Sequence, residues 1–225
     1  MQSNLLFRVL IALAVYLGLS YFGGEIGYKI LYPVRMLVTF LHEFGHALGA
    51  ILTGGSVDSL EVRPDGSGVT WTRGGSRSIT LMGGYIGSAI FGNILFYIGA
   101  KAKPQVAKFT IYGLAVLMVA VGLYWFTSLF TTGLLLAFAV ACWLIARYTR
   151  FDSDVLIFFG LACILYIIQD FNVGPSSDLE MYARDFIVLP ASAWMYIWLS
   201  IVVVLFAWNL RTIFRSRTTS HQVQG

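Results

Sequence analysis

His42, Glu43 and His46 stand together in "VTFLHEFGHALGAILTGG", residues 38–55, inside an otherwise apolar run. On an α-helix, residues i and i+4 lie one above the other, so His42 and His46 can turn their imidazoles to a single point. Zinc accepts two histidines from a helix at this spacing. Glu43 lies about 100° around the helix from His42. From there it can reach a metal-bound water without being a ligand, which is the general-base position of a zinc hydrolase. Zinc lowers the pKa of its water towards ~7, and Glu43 would take the proton during attack on a carbonyl.

On a solvated helix the same motif could be ordinary polar surface. Here the surroundings are apolar. An ionisable group at mid-membrane costs roughly 2.5–3.5 kcal/mol on insertion scales, so a cluster of them needs a compensating partner, which a divalent cation supplies. Gly45, Ala47, Gly49 and Ala50 flank the histidines and let neighbouring helices approach closely.

Two histidines leave a catalytic zinc one protein ligand short. His221 sits in the polar tail and would have to fold back into the membrane. Carboxylates are the better source. Asp170 ends the apolar run "VLIFFGLACILYIIQD" and is the first candidate, because a carboxylate terminating a span is rare and usually functional. A plain interfacial helix end is its competing reading. Asp178, in "GPSSDLEMYARD", is the reserve. Its competing reading is an N-cap, since Ser177 and Asp178 precede a short amphipathic turn with early acids.

These residues must be held by lipid-facing elements. Of 225 residues, 58% are hydrophobic and only 12% charged, against about a quarter charged in a soluble domain. The mean hydropathy is +0.77. A bilayer core takes about 20 apolar residues per helix. That ruler predicts spans near 5–23, 30–53, 79–100, 107–125, 127–147, 154–170 and 192–213. The first has no small-residue cleavage site and reads as a retained span. The fold expected is an all-α polytopic membrane protein of about six to seven transmembrane helices, organised as one unit over residues 1–225 with a polar tail at 214–225. No internal repeat is visible, which argues against a transporter built from repeats. Cys142 and Cys163 fall in apolar runs without metal or disulfide spacing and read as free thiols. The net charge of +4, drawn mainly from loop and tail Lys and Arg, suits anionic headgroups, and nothing points to nucleic acid.

Two stretches are not spans. Residues 54–78 alternate apolar and polar residues around "PDGSG", so strand-turn-strand is expected over 57–72. Residues 171–191 hold a Gly-Pro break and then a short amphipathic turn. The distribution of basic residues sets the orientation. Lys29, Lys101, Lys103, Lys108, Arg147, Arg150, Arg211, Arg215 and Arg217 fall on the side read as cytoplasmic, with Arg8, Arg63, Arg73, Arg77 and Arg184 opposite.

"FLHEFGHALGAILTGGSV", then "GSGVTWTRGG" and "GGYIGSAIFGNILFYIGA", resemble the site-2 protease family of intramembrane zinc metallopeptidases. Within it the chain looks most like small bacterial and plant-type members with a Gly-Tyr-x-Gly-Ser third helix. The block "SSDLEMYARDFIVLPASAWMYIWLSI" looks like that branch's Ser-Asp, Pro and Trp segment. The resemblance implies zinc on His42, His46 and one later aspartate, with Glu43 as base, in a multi-pass protein of the plasma (cell inner) membrane. It implies hydrolysis of a peptide bond in or near a transmembrane segment of a membrane-protein substrate. The family's commoner aspartate motif is Leu-Asp-Gly, where this chain has "IIQDFNVGP". The family also places an Asn near the reaction centre, and Asn93 in "IFGNILF" is the residue that could donate to a developing oxyanion, a helix–helix hydrogen bond being its other reading. An exposed edge at 57–62 or 68–72 could pair with an unwound substrate, or the hairpin could be structural only. The alternative to proteolysis is a non-catalytic membrane binding protein that retains the protease fold.

Overall fold

The computed structural model describes residues 2–171, 174, 176–186 and 188–215. Pro175 of the Gly-Pro break, His221 and the tail from 216 onward lie outside them. The elements run α1 (Gln2–Phe22), α2 (Gly24–Leu52), β1 (Ser56–Val62), β2 (Gly68–Arg73), α3 (Arg77–Lys101), α4 (Pro104–Tyr124), α5 (Leu129–Tyr148), α6 (Asp152–Phe171), α7 (Ser177–Asp185) and α8 (Ala191–Arg215). The protein is an all-α polytopic membrane protein with a small β-hairpin after the helix of His42 and His46, as its composition requires.

Six helices, α1, α3, α4, α5, α6 and α8, are long and apolar enough to cross a bilayer. Their outward faces show what surrounds them. Only 17% of the most apolar stretch of α8 is buried, and Val203, Val204 and Trp208 on it are exposed. Such a surface is suited to lipid rather than water. The expected span at 30–53 belongs to α2, a 29-residue helix that does not share this apolarity. It carries Glu25, Lys29, Arg35, His42, Glu43 and His46, and its middle is the bundle interior, packed on α1, α3, α6 and both strands.

Small residues set how close α3 comes to α2. A Cβ added at Gly45 would stand 2.1 Å from the Gly83 carbonyl oxygen, and one at Gly49 would stand 2.7 Å from that of Ile79. Backbone therefore meets backbone along this seam, the packing that membrane helices use where lipid supplies no hydrophobic drive.

The hairpin forms where expected, with β1 and β2 antiparallel. Its tip is local chemistry: the Asp65 carboxylate accepts from the Ser67 N–H and hydroxyl at 2.9 and 2.7 Å. Gly66 takes the left-handed conformation, φ 92°, that a tight turn needs. The Thr39 hydroxyl donates to the Gly66 carbonyl at 2.9 Å, laying the hairpin along α2. The weak turn between α4 and α5 holds the outer edge of β1. Thr127 Oγ1 donates to the Leu60 carbonyl at 3.0 Å, and Thr131 Oγ1 both accepts from the Val62 N–H and donates to its carbonyl at 3.1 Å. The outer edge of β2 pairs with no strand among the described residues.

Arg8 sits elsewhere than its loop suggested. It bonds to Asp154 at 2.5 Å, close to Arg150 rather than across the bundle from it. The cause is packing: Leu5 and Val9 of α1 pack with Ile157 and Leu161 near the start of α6. Arg77 pairs with Asp185, so the hairpin and α7 share one end of the bundle.

Candidate active site

His42 and His46 meet at the spacing that α2 imposes. Their Nε2 atoms are 3.1 Å apart, and Asp178 Oδ2 is 3.0 Å from the first and 3.3 Å from the second. Three donors on a tetrahedral zinc, each about 2.0–2.2 Å from it, stand roughly 3.3 Å from one another. The residues therefore fit the ion. Among the described residues, these three form the group able to hold a metal.

Second contacts prepare the donors. The His46 Nδ1–H donates to the Thr80 carbonyl at 2.7 Å, which leaves the Nε2 lone pair free for a metal. The His42 ring meets the Tyr85 ring edge to face, with centroids 4.6 Å apart. Gly84 leaves the room in which the donors converge, since a Cβ there would lie 2.5 Å from both Nε2 atoms.

Asp178 arrives from a different part of the chain. Ser176, not Asp178, caps α7, its hydroxyl accepting from the Leu179 N–H, so Asp178 occupies the first turn and turns inward. Leu179 and Tyr182 are buried, and the Tyr182 ring packs on Trp194 and Trp198 at 4.9 and 5.1 Å, which anchors the short helix to α8.

Asp170, expected as the third ligand, stands outside the three-donor group. It accepts a hydrogen bond from the Tyr85 hydroxyl at 2.5 Å. The reason is geometric: α6 stays helical through Phe171, so its last turn faces Tyr85 on α3, and the next segment carries Asp178 to the histidines. Asn93 takes the second of its two readings, a helix–helix hydrogen bond. Its Nδ2 donates to the Ala89 carbonyl at 2.9 Å, and its carbonyl and Oδ1 accept from Asn209 Nδ2 at 2.8 and 2.9 Å. It ties α3 to α8, roughly 13 Å along the helix from Gly84.

Glu43 is buried beside the histidines, and β2 holds it. Thr70 Oγ1 stands 2.7 Å from Glu43 Oε2 and 3.0 Å from the Glu43 carbonyl, donating to them. A Cβ at Gly68 would lie 2.5 Å from Glu43 Oε1. Sequence reasoning placed both in a possible substrate edge and missed their tie to Glu43. The available signal was strand alternation, which puts 68 and 70 on one face of β2. His42, Glu43 and His46 line a cleft of about 810 Å³ with Asp178, Tyr85 and β2 residues Gly68 to Thr72 on its walls. It is large enough for an extended peptide segment.

A protein-family model described as Peptidase M50B-like matches residues 7–209, in agreement with the site-2 protease resemblance. Neither the curated proteins nor the solved structures compared with the chain gave a match.

Proposed function

Because the chain belongs to the Peptidase M50B-like family, we propose that it is an intramembrane zinc metalloprotease of the plasma (cell inner) membrane. Its reaction is hydrolysis of a peptide bond in or near a transmembrane segment of a membrane-protein substrate. The observation that carries this reading is the convergence of His42 Nε2, His46 Nε2 and Asp178 Oδ2, with the Glu43 carboxylate buried in the same cleft. In this proposal Asp178 takes the ligand role first given to Asp170.

When bound, zinc supplies a Lewis acid that polarises the scissile carbonyl and acidifies water. Glu43 accepts the proton of the attacking water and returns it to the leaving amine. His46, fixed by Thr80, keeps a donor lone pair on Nε2. Substrate reaches these groups only as an unwound strand, because a helix shields its own peptide bonds. Residues of β2 line the cleft, and β2 pairs with no strand but β1 among the described residues, which supports substrate seated as an added strand.

Glu43→Gln tests the chemistry apart from the fold. The amide is nearly isosteric and not a ligand in this scheme, so zinc content stays at the wild-type level. Cleavage of a membrane-helix substrate falls by roughly 10²–10⁴-fold, the usual contribution of a positioned general base. Undiminished cleavage with zinc retained would refute the mechanism. A wild-type protein that binds a membrane segment without cutting it would favour the binding-protein reading.

A further inference from the structure

We propose that Thr70 is a positioning residue for Glu43, so that strand β2 sets the general base from the same strand whose residues line the cleft. The inference rests on the proteolytic reading for its consequence, though not for the contact itself. Both carboxylate oxygens of Glu43 lie on β2: Oε2 is 2.7 Å from the Thr70 hydroxyl, and Oε1 occupies the space a side chain at 68 would fill. Residues 68 and 70 share one face of a strand, so a hydroxyl and an absent Cβ two positions apart form a seat shaped for one carboxylate.

The Thr70 hydroxyl has one proton and two acceptors, Oε2 at 2.7 Å and the Glu43 carbonyl at 3.0 Å. The charged and nearer oxygen takes the larger share, since bonds to ionised acceptors are the stronger ones. A glutamate has three rotatable bonds, and without this donor its carboxylate would sample rotamers that point away from the water it must deprotonate. A general base works only within hydrogen-bond reach of its proton. The hairpin itself is anchored independently, through Thr39, Thr127 and Thr131. Removing the Thr70 hydroxyl therefore deletes the link to the base and leaves the strand in place.

Thr70→Val keeps the shape and loses the hydroxyl. The expected result is a kcat lower by about 10- to 100-fold, with KM and zinc content unchanged, the scale on which supporting hydrogen bonds act at metal sites. Thr70→Ser restores the hydroxyl and brings kcat back to within a few-fold of wild type. Gly68→Ala, which pushes on Oε1, lowers kcat in the same way. A second readout does not depend on activity. The infrared difference between wild type and Glu43→Gln isolates the Glu43 carboxylate band, which Thr70→Val shifts and Thr70→Ser leaves in place. Wild-type kcat and an unmoved band in Thr70→Val would overturn the proposal, as would loss of zinc in that variant or failure of Ser to rescue. If wild type cleaves nothing, or Glu43→Gln cleaves as wild type does, the protease reading fails, and the band still decides the contact.

Discussion

Gly84→Ala adds one methyl group where the metal donors converge. The added Cβ would stand 2.5 Å from His42 Nε2 and His46 Nε2 and 2.6 Å from His42 Cε1. Ordinary van der Waals contact begins at 3.4 Å, so each imidazole must move by about 0.9 Å. Zinc sites hold their ligand distances to about ±0.2 Å, so a shift of this size is incompatible with the paired coordination. Weaker perturbations, in groups that merely support ligands, already cost 10- to 100-fold in affinity. The expected loss of zinc affinity is therefore at least about 100-fold, equivalent to about 2.7 kcal/mol. The helix itself gains from the change, because alanine is better than glycine in a helix interior by about 1 kcal/mol. That gain offsets part of the overpacking cost of about 1–3 kcal/mol, so zinc affinity is compared at a helicity checked for each variant. Zinc affinity is measured in detergent by competition with a chromophoric chelator, with helicity followed by circular dichroism. Gly113→Ala is the control, since nothing lies within 4 Å of its added Cβ. Wild-type zinc affinity in Gly84→Ala would show that the metal does not sit where the two histidines and Asp178 meet.

Asp178→Asn loses zinc in the same competition assay, whereas Asp170→Asn retains it, because the Tyr85 hydroxyl can donate to an amide oxygen as it does to the carboxylate. The opposite pattern would return the ligand role to Asp170. Asn209→Leu removes both hydrogen bonds to Asn93. It should destabilise the bundle by roughly 1–2 kcal/mol in a detergent unfolding titration, near the upper end for membrane hydrogen bonds, with cleavage by the folded fraction unchanged. Impaired cleavage at normal stability would restore a catalytic part for Asn93.

What could be read in the sequence was what depends on neighbours in the chain. His42 and His46 share a face because the helix repeat puts i and i+4 together, whatever surrounds the helix. The hairpin was legible because "PDGSG" makes its own turn through Asp65 and Gly66. The membrane class followed from composition, since few charges leave only lipid as solvent for so many apolar faces. The third donor was a different kind of question. Asp170 and Asp178 are close in sequence and alike in chemistry, and which of them stands beside the histidines turned on α6 remaining helical to Phe171 and on Ser176, rather than Asp178, capping α7. Asn93 carried no mark of its partner, which lies 116 residues away on α8. Nor could residues 68 and 70 show their tie to Glu43, 27 residues from Thr70, because the hairpin first had to fold back along α2. Contacts within a helical turn or a tight turn are fixed by backbone geometry, which the local sequence encodes. Contacts between elements depend on where each helix ends and which faces meet, and packing of the whole bundle decides that.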